Sequence, residues 1–520
     1  MEVLDHQTTR VSETTNRPLS RVTLKFSSDS GAEYLYDDST GSIFPWGQFH
    51  ELILNRELGS ALTDSERAVL KGANAAEIDA ITQLIRRWLT QYGAFVRQTN
   101  HHFPVPTTEQ VRDLVLMNCY ELVLMVTENC DMRCKYCVYS DKYPYNRLPS
   151  KRAMDASQAV RIVDWFVDCM SPSMNRNPRK TYSLCFFGGE PLLNFPVIRD
   201  VLNHVRKQYP DLFHPTITTN GLLLKPEIVK VLAERRVQIN VSMDGPQAEH
   251  DRLRVDTRGQ GTHHRIILNL SRLKQQFPQY CAEQVRILSV YDARSNVEDI
   301  AEYFQNSQED LPALMFVTMV NNHNSSYYSQ FAKEDFVRLG RSLSLLRARF
   351  KKAKINGQPL SNYLFLIGGF GAACASLRPG IADKRTVFLP YTGACIPGSR
   401  LTVQTDGAID MCERVNGTCP IGHFDKGGLD YKRIAEIIGE YQNKAMQNCS
   451  TCAATRLCSQ CFAYAETKGG FASSPALCAS ILYDAKQNLS DYVSVMEANS
   501  NAAFQDDVRR LKPQNTRLTC

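Results

Sequence analysis

The chain lacks any apolar run approaching the ~20 residues that cross a bilayer. A membrane protein is not expected. The N-terminal stretch MEVLDHQTTRVSETTNRPLS has no apolar core of a secretory signal, so the expectation is a cytoplasmic protein. Charge of one sign is scarce too. With 60 Lys and Arg against 54 Asp and Glu, the net charge is +6 over 520 residues. That balance argues for no nucleic-acid partner. No internal period announces a solenoid. Around Cys130, Cys134 and Cys137 a fourth cysteine is missing, and a structural zinc site closes with four ligands.

What is present is cysteine, 17 in all, in a chain with 43% hydrophobic and 22% charged residues. The composition fits a globular protein with a proper core. A reducing compartment does not sustain a disulfide framework of that size. Grouping points to metal instead. Three cysteines lie in ENCDMRCKYCVYS, and eight run from Cys395 to Cys478.

Five regions separate. Residues 1–105 begin with strand-like SRVTLKF and AEYLYDDSTGSIF, followed by helical patterns. In AAEIDAITQLIRRWLTQYGAF the residues Ile78, Ile81, Leu84, Ile85 and Leu89 recur at helical spacing. A small α+β domain is expected there, joined by the linker RQTNHHFPVPTTEQ. Across 115–325 the apolar runs ELVLMVT, YSLCFF, PTITTN, VQINVSM, VRILSV and LMFVTMV alternate with amphipathic segments. This predicts an α/β region with a parallel sheet under helices. An open doubly wound sheet and a partial barrel both remain open, and both place function at the C-terminal strand ends. Residues 326–390 read as a helical bridge, with 333–355 a basic helix having one apolar face. Residues 391–485 are rich in cysteine and turns, and 486–520 read as a tail.

The motif Cys130-x3-Cys134-x2-Cys137 follows directly on the first strand of the alternating region. Thiolates suit iron–sulfur clusters or zinc. A four-iron cluster with three cysteines keeps one iron open, and an open position is where a substrate or cofactor binds. With Tyr136 before the last cysteine, the motif resembles the radical S-adenosylmethionine (SAM) enzymes. The strand ends agree: Gly188, Gly189, Glu190 and Pro191 in FFGGEP, Asn220 in TTNG, and Ser242, Asp244 and Arg254 in VSMDGPQAEHDRLR. In that family such positions lie around bound SAM. The resemblance implies a partial (β/α)6 barrel. It further implies a cluster that cleaves SAM to a 5′-deoxyadenosyl radical, which abstracts a substrate hydrogen, and an electron donor such as flavodoxin or ferredoxin.

CIPGSRLTVQTDGAIDMCERVNGTC and CSTCAATRLCSQC resemble the SPASM domain, the C-terminal module of peptide-modifying radical enzymes. By that resemblance Cys449, Cys452, Cys458 and Cys478 ligate one auxiliary four-iron cluster. Cys395, Cys412 and Cys461 ligate another, for three clusters in the chain. The last spacing, x2, departs from the usual x3. The fourth ligand of the second set is left between Cys419 and an open iron, with Cys374 a lesser candidate. A zinc ribbon at Cys449–Cys461 is the alternative. The remaining cysteines, such as Cys169 and Cys185, read as packing residues.

Glu413 directly follows Cys412. In sulfatase-maturating relatives an acid here is thought to take a substrate proton. The plain alternative is a surface glutamate paired with Arg414. The N-terminal region is similar in pattern to a RiPP recognition element, which implies binding of the leader of a ribosomal precursor peptide. The CIPGSR…CERV stretch resembles thioether-forming maturases. The expected activity is therefore an intramolecular crosslink in a peptide, thioether foremost. Formylglycine formation, carbon–carbon crosslinking and epimerisation are the alternatives.

Overall fold

The computed structural model describes residues 22–95, 103–307, 310–321, 325–377, 389, 395–415, 419–502 and 504. Cys520 and the first half of the linker lie outside the described residues. The chain divides into two compact units. Ser450–Ala454 group with the first, and Phe103–Cys449 belong to the second.

In the N-terminal unit, β1 (Thr23–Ser27), β2 (Glu33–Asp37) and β3 (Ser42–Pro45) form an antiparallel meander. The turn between β2 and β3 is held by Asp37. Its carboxylate accepts from the Thr40 hydroxyl at 2.8 Å, and Gly41 takes a positive φ of 75°. Three helices follow, Gln48–Glu57, Asp64–Gly72 and Ala75–Gln91. Thr63 and Glu66 cap the second reciprocally, and Asn74 caps the third. Leu35, Phe44, Ile53, Leu54, Ile85 and Trp88 build the core. Leu84, expected on the buried face, is 37% exposed. The buried stripe runs Ile81, Ile85, Trp88, with steps of four and three that leave Leu84 on the outer side.

In the second unit the six apolar runs form β4 (Glu121–Thr127), β5 (Tyr182–Gly188), β6 (Phe213–Thr219), β7 (Gln238–Ser242), β8 (Val285–Tyr291) and β9 (Met315–Met319). They pair in parallel in chain order. β10 (Arg400–Val403), from the cysteine-rich region, adds in parallel to the free side of β4. β11 (Ala408–Asp410), β12 (Gly422–His423) and β13 (Gly428–Leu429) continue antiparallel. The result is a mixed ten-stranded sheet with β13 and β9 at its edges.

Alternation decides what each face does. Leu122, Leu124, Leu184, Phe186, Ile217 and Ile239 are fully buried and pack with helical residues such as Ile162 and Phe166. Successive residues of a strand face opposite ways. The other set, including Glu121, Ser183, Thr216, Asn240, Arg286 and Arg400, lines one cavity of about 1500 Å³. Strands β10 and β4–β9 all contribute to it, so the sheet curls around this face. The strands are thus not apolar on both faces; the inner face is polar. Cys185 packs on that inner face with Val123, Met125 and Tyr139, while Cys119 and Cys281 lie in the main core.

Helices Lys333–Ile355, Asn362–Gly368 and Phe370–Leu377 follow β9. The first buries Leu339, Leu346 and Phe350 on one face. Pro475–Ala498 is one continuous helix across the boundary expected at 485. Among the described residues no helix is long and apolar enough to cross a membrane.

Candidate active site at the strand ends

The loop carrying Cys130, Cys134 and Cys137 leaves the end of β4 and is tied down by backbone bonds. Arg133 N–H donates to Val255 O at 2.7 Å, and Lys135 N–H to Leu253 O at 2.9 Å. The loop therefore rests on the segment after β7 that carries Arg254. On its other side lies the end of β5. Gly189 N–H donates to Thr127 O at 2.9 Å and Glu190 N–H to Asn129 O at 2.8 Å. A Cβ on Gly189 would stand 2.2 Å from Asn129 O, so the two backbones approach as closely as glycine allows.

Glu190 is buried at 1% exposure and fully engaged. Its carboxylate accepts from Asn220 N–H at 2.7 Å, the Thr219 hydroxyl at 2.7 Å and Leu192 N–H at 3.0 Å. Burial pushes its carboxyl up to about 7 despite these bonds. Pro191 opens the short helical turn that Glu190 caps. Asn220 Nδ2 donates to Asp131 Oδ1 at 2.6 Å, which joins the end of β6 to the cysteine loop. Ser242 ends β7 beside Leu288.

Tyr136, Asp244 and Arg254 form one chain of contacts. Tyr136 donates to Asp244 Oδ2 at 2.8 Å, and Arg254 Nη1 donates to the Tyr136 oxygen. Asp244 Oδ1 accepts from Val290 N–H at 3.1 Å. Burial pushes the Asp244 carboxyl up to about 6, with Arg254 pulling it back. His250, wholly buried, accepts from Asp244 N–H at Nδ1. Its Nε2–H then donates to the Thr262 hydroxyl at 3.0 Å, which donates to Arg254 O at 3.1 Å. Burial drives the His250 pKa down to about 2, so the ring is neutral. The sequence pattern had not singled out His250, Asp131 or Thr219. Their polarity at motif flanks was the available signal.

The three thiols suit a cluster. Cys130 and Cys134 interact electrostatically, as do Cys134 and Cys137. Burial pushes Cys130 up to about 12 and Cys134 to about 11, and thiols that basic lose protons to a metal rather than to water. Among the described residues no three His, Cys, Asp or Glu side chains converge on a single ion. Ligands of a four-iron cluster bind separate irons, so their sulfurs need not converge.

In the cysteine-rich region Arg414 lies in electrostatic range of Cys412 and Cys461, and Cys461 in range of Cys395. Cys395 Sγ stands 3.7 Å from the Tyr120 hydroxyl. Cys449, Cys458, Cys461 and Cys478 all lie in electrostatic range of Tyr441. Cys452 lies on Ser450–Ala454, the stretch that groups with the N-terminal unit. Cys419 is wholly buried in the core, and its main charged neighbours are Glu466, Arg433, Glu440 and Asp410. Cys374 sits on the helix Phe370–Leu377.

Glu413 is not a surface residue paired with Arg414 alone. Arg400 Nη1 donates to Glu413 Oε2 at 2.7 Å and also pairs with Glu121 on β4. This guanidinium holds the Glu413 carboxyl below its ordinary range against the cost of burial. Glu413 lines the curled-sheet cavity, whose lining also includes residues preceding the strands, such as Lys180, Asp211 and Arg236. This cavity lies within the sheet, beneath the motif rim.

Residues 124–304 match the family model "Radical SAM superfamily". Over 344 residues the chain is 23% identical to the radical SAM cyclopropyl synthase TigE of Paramaledivibacter caminithermalis, covering 65% of this chain and 66% of that protein. It is 25% identical to a cysteine-type anaerobic sulfatase-maturating enzyme of Clostridium novyi, over 39% of this chain and 52% of that one. The chain thus spans about half to two thirds of these relatives. The solved structure of native anSMEcpe with bound AdoMet superposes with a TM-score of 0.55 at 18% identity, covering 74% of this chain and all of that one. The matched region spans the strand-and-helix core and is similar to radical SAM enzymes; a cysteine-rich extension follows it.

Proposed function

We propose that this radical SAM protein is an oxidoreductase that removes hydrogen from a side chain of a ribosomally made peptide. The observation that carries the reading is Glu413. It stands beside Cys412, is held ionised by Arg400, and faces a cavity large enough for a peptide segment. A carboxylate kept ionised there can take the proton that leaves as a substrate radical is oxidised. Cys130, Cys134 and Cys137 would hold the cluster; Glu190, Asn220, Asp244 and Arg254 would bind SAM. When bound, the pair supplies a hydrogen-abstracting radical. The protein's part is to fix the rim, exclude water and present the peptide.

Relatives named as cyclopropyl synthase and sulfatase-maturating enzymes favour carbon-centred oxidation over the thioether link expected from sequence. The three strands and three helices of the N-terminal unit suit a leader-binding role, with a leader adding as a strand. Cys395, Cys412 and Cys461, and Cys449, Cys452, Cys458 and Cys478, would hold auxiliary clusters able to take up the electron released on oxidation of the substrate, and a flavodoxin- or ferredoxin-like partner would be the electron donor. Cys419 would be the fourth ligand of the set at Cys395, Cys412 and Cys461.

The test is mass spectrometry of a candidate precursor after anaerobic reaction with the reconstituted enzyme. Loss of two hydrogens with all cysteine thiols still alkylated indicates a carbon–carbon bond. The same loss with one thiol blocked indicates a thioether. Exchange of sulfur for oxygen indicates formylglycine. An unchanged peptide alongside full SAM cleavage would sink the peptide reading.

A further inference from the structure

The inner face of the curled sheet carries two buried arginines with opposite surroundings. Arg400 is neutralised twice, by Glu121 and Glu413. Arg286 on β8 is 3% exposed and lines the same cavity. Among the described residues nothing accepts a hydrogen bond from its guanidinium, and no carboxylate pairs with it. Its guanidinium carbon lies over the ring of Phe316, 5.9 Å from the centroid. Polar neighbours on this face satisfy one another instead. Ser183 donates to Glu121 at 3.0 Å, and Gln238 to Asn240 at 3.3 Å. Burial lowers the Arg286 pKa to about 10, the mark of a cation stripped of water without compensation.

A buried cation without a counter-ion is costly, and its fork of donors matches a carboxylate. The residue also has a defined place along the strand. Val290, four residues later on β8, donates to Asp244 at the cofactor rim. At ~3.3 Å per residue, Arg286 stands roughly 13 Å below that rim. An extended peptide covers that distance in about four residues.

We propose that Arg286 anchors a carboxylate of the peptide substrate inside the sheet cavity, about four residues from the reacting side chain. The carboxylate is an Asp or Glu side chain or the peptide's C-terminus. The inference rests on the peptide reading above. It adds that this enzyme selects acidic segments.

The experiment titrates the full-length reconstituted protein with three small probes, read by saturation-transfer NMR. N-acetylglutamate amide offers a side-chain carboxylate, N-acetylalanine a terminal one, and N-acetylglutamine amide none. One charged probe should bind about tenfold to a hundredfold more tightly than the neutral one, and which of the two it is names the source. Arg286→Gln should erase the difference and Arg286→Lys keep part of it. Equal binding of charged and neutral probes overturns the proposal, as does an acid preference that survives Arg286→Gln. Tighter binding of inorganic phosphate than of either carboxylate overturns it too. Arg286→Met guards against a merely structural role. An anchor with no partner in the protein leaves the melting temperature unchanged or raised, whereas a structural arginine lowers it. A peptide modified without any acid preference removes the anchor but not the peptide reading. Acid preference without peptide modification removes the peptide reading but not the anchor.

Discussion

Gly189→Ala tests whether the cysteine loop is positioned by backbone contact with β5. The added methyl would lie 2.2 Å from Asn129 O, 2.6 Å from Asn129 C and 2.9 Å from Glu128 O. Optimal non-bonded separations are about 3.5 Å, so the loop must retreat by roughly 1 Å. The retreat breaks or stretches Gly189 N–H to Thr127 O and Glu190 N–H to Asn129 O. Two weakened bonds and the strain of a crowded backbone together cost about 3–5 kcal/mol. Because Cys130 follows Asn129, the first thiol of the loop moves with it. Calorimetry should show a lower melting temperature, and reconstitution should lose roughly four irons, one cluster. Gly340→Ala is the control. Nothing lies within 4 Å of its added methyl, and it sits in the middle of the helix Lys333–Ile355. It should stabilise by up to about 1 kcal/mol. Unchanged melting and unchanged iron in Gly189→Ala would refute the reasoning.

Tyr136→Phe removes the hydroxyl between Asp244 and Arg254, and should weaken SAM binding by about tenfold or more in equilibrium dialysis. Arg252→Ala leaves Asp292, wholly buried and bound by Arg252 at 2.9 Å, without its cation. Urea unfolding of that variant should show a loss of about 3–5 kcal/mol, and a loss under 1 kcal/mol would contradict the buried-pair account. His250 has a folded pKa near 2, below its ordinary 6.5. Between those values the unfolded chain binds a proton that the folded chain does not, so stability is full above pH 6.5 and falls as pH drops. His250→Gln should flatten this acid limb by up to about 1.4 kcal/mol per pH unit, seen in urea midpoints from pH 7 to 5. An unchanged slope would mean the ring protonates in the folded state.

Four strands of the core could be read from the sequence because each is a largely apolar run ending in a polar motif, and two more because the same strand–helix alternation continues through them. The rim was readable for the same reason: Cys130, Glu190, Asn220 and Asp244 each stand where a run stops. The inner face was not. Glu121 in ELVLMVT and Arg286 in VRILSV are single charges in apolar strings, and only the curl of the sheet shows that they share a cavity. The pairing of β10 with β4 was hidden as well, since register between distant segments leaves no local pattern. Leu84 and Trp88 show the limit of helical periodicity. Both fit a loose stripe, and packing against Phe44, 4.5 Å from the Trp88 ring, selected one.

The β10–β4 pairing changes how the chain can be divided. Arg400, Leu401, Thr402 and Val403 pair with Glu121, Leu122, Val123 and Leu124. The Thr405 hydroxyl donates to the buried Glu128 at 2.5 Å, just before the cysteine loop. The extension therefore supplies a strand, a cation for Glu121 and a brace for the loop. A chain ending at Leu377 would leave β4 as a bare, long, apolar edge, which is a template for aggregation. It would also leave Glu121, 9% exposed, without Arg400, at a cost of about 3–5 kcal/mol. Such a truncated chain should be insoluble or prone to proteolysis, and should cleave SAM poorly even with iron supplied. A soluble truncated core with full SAM cleavage would show that the extension is a separable module.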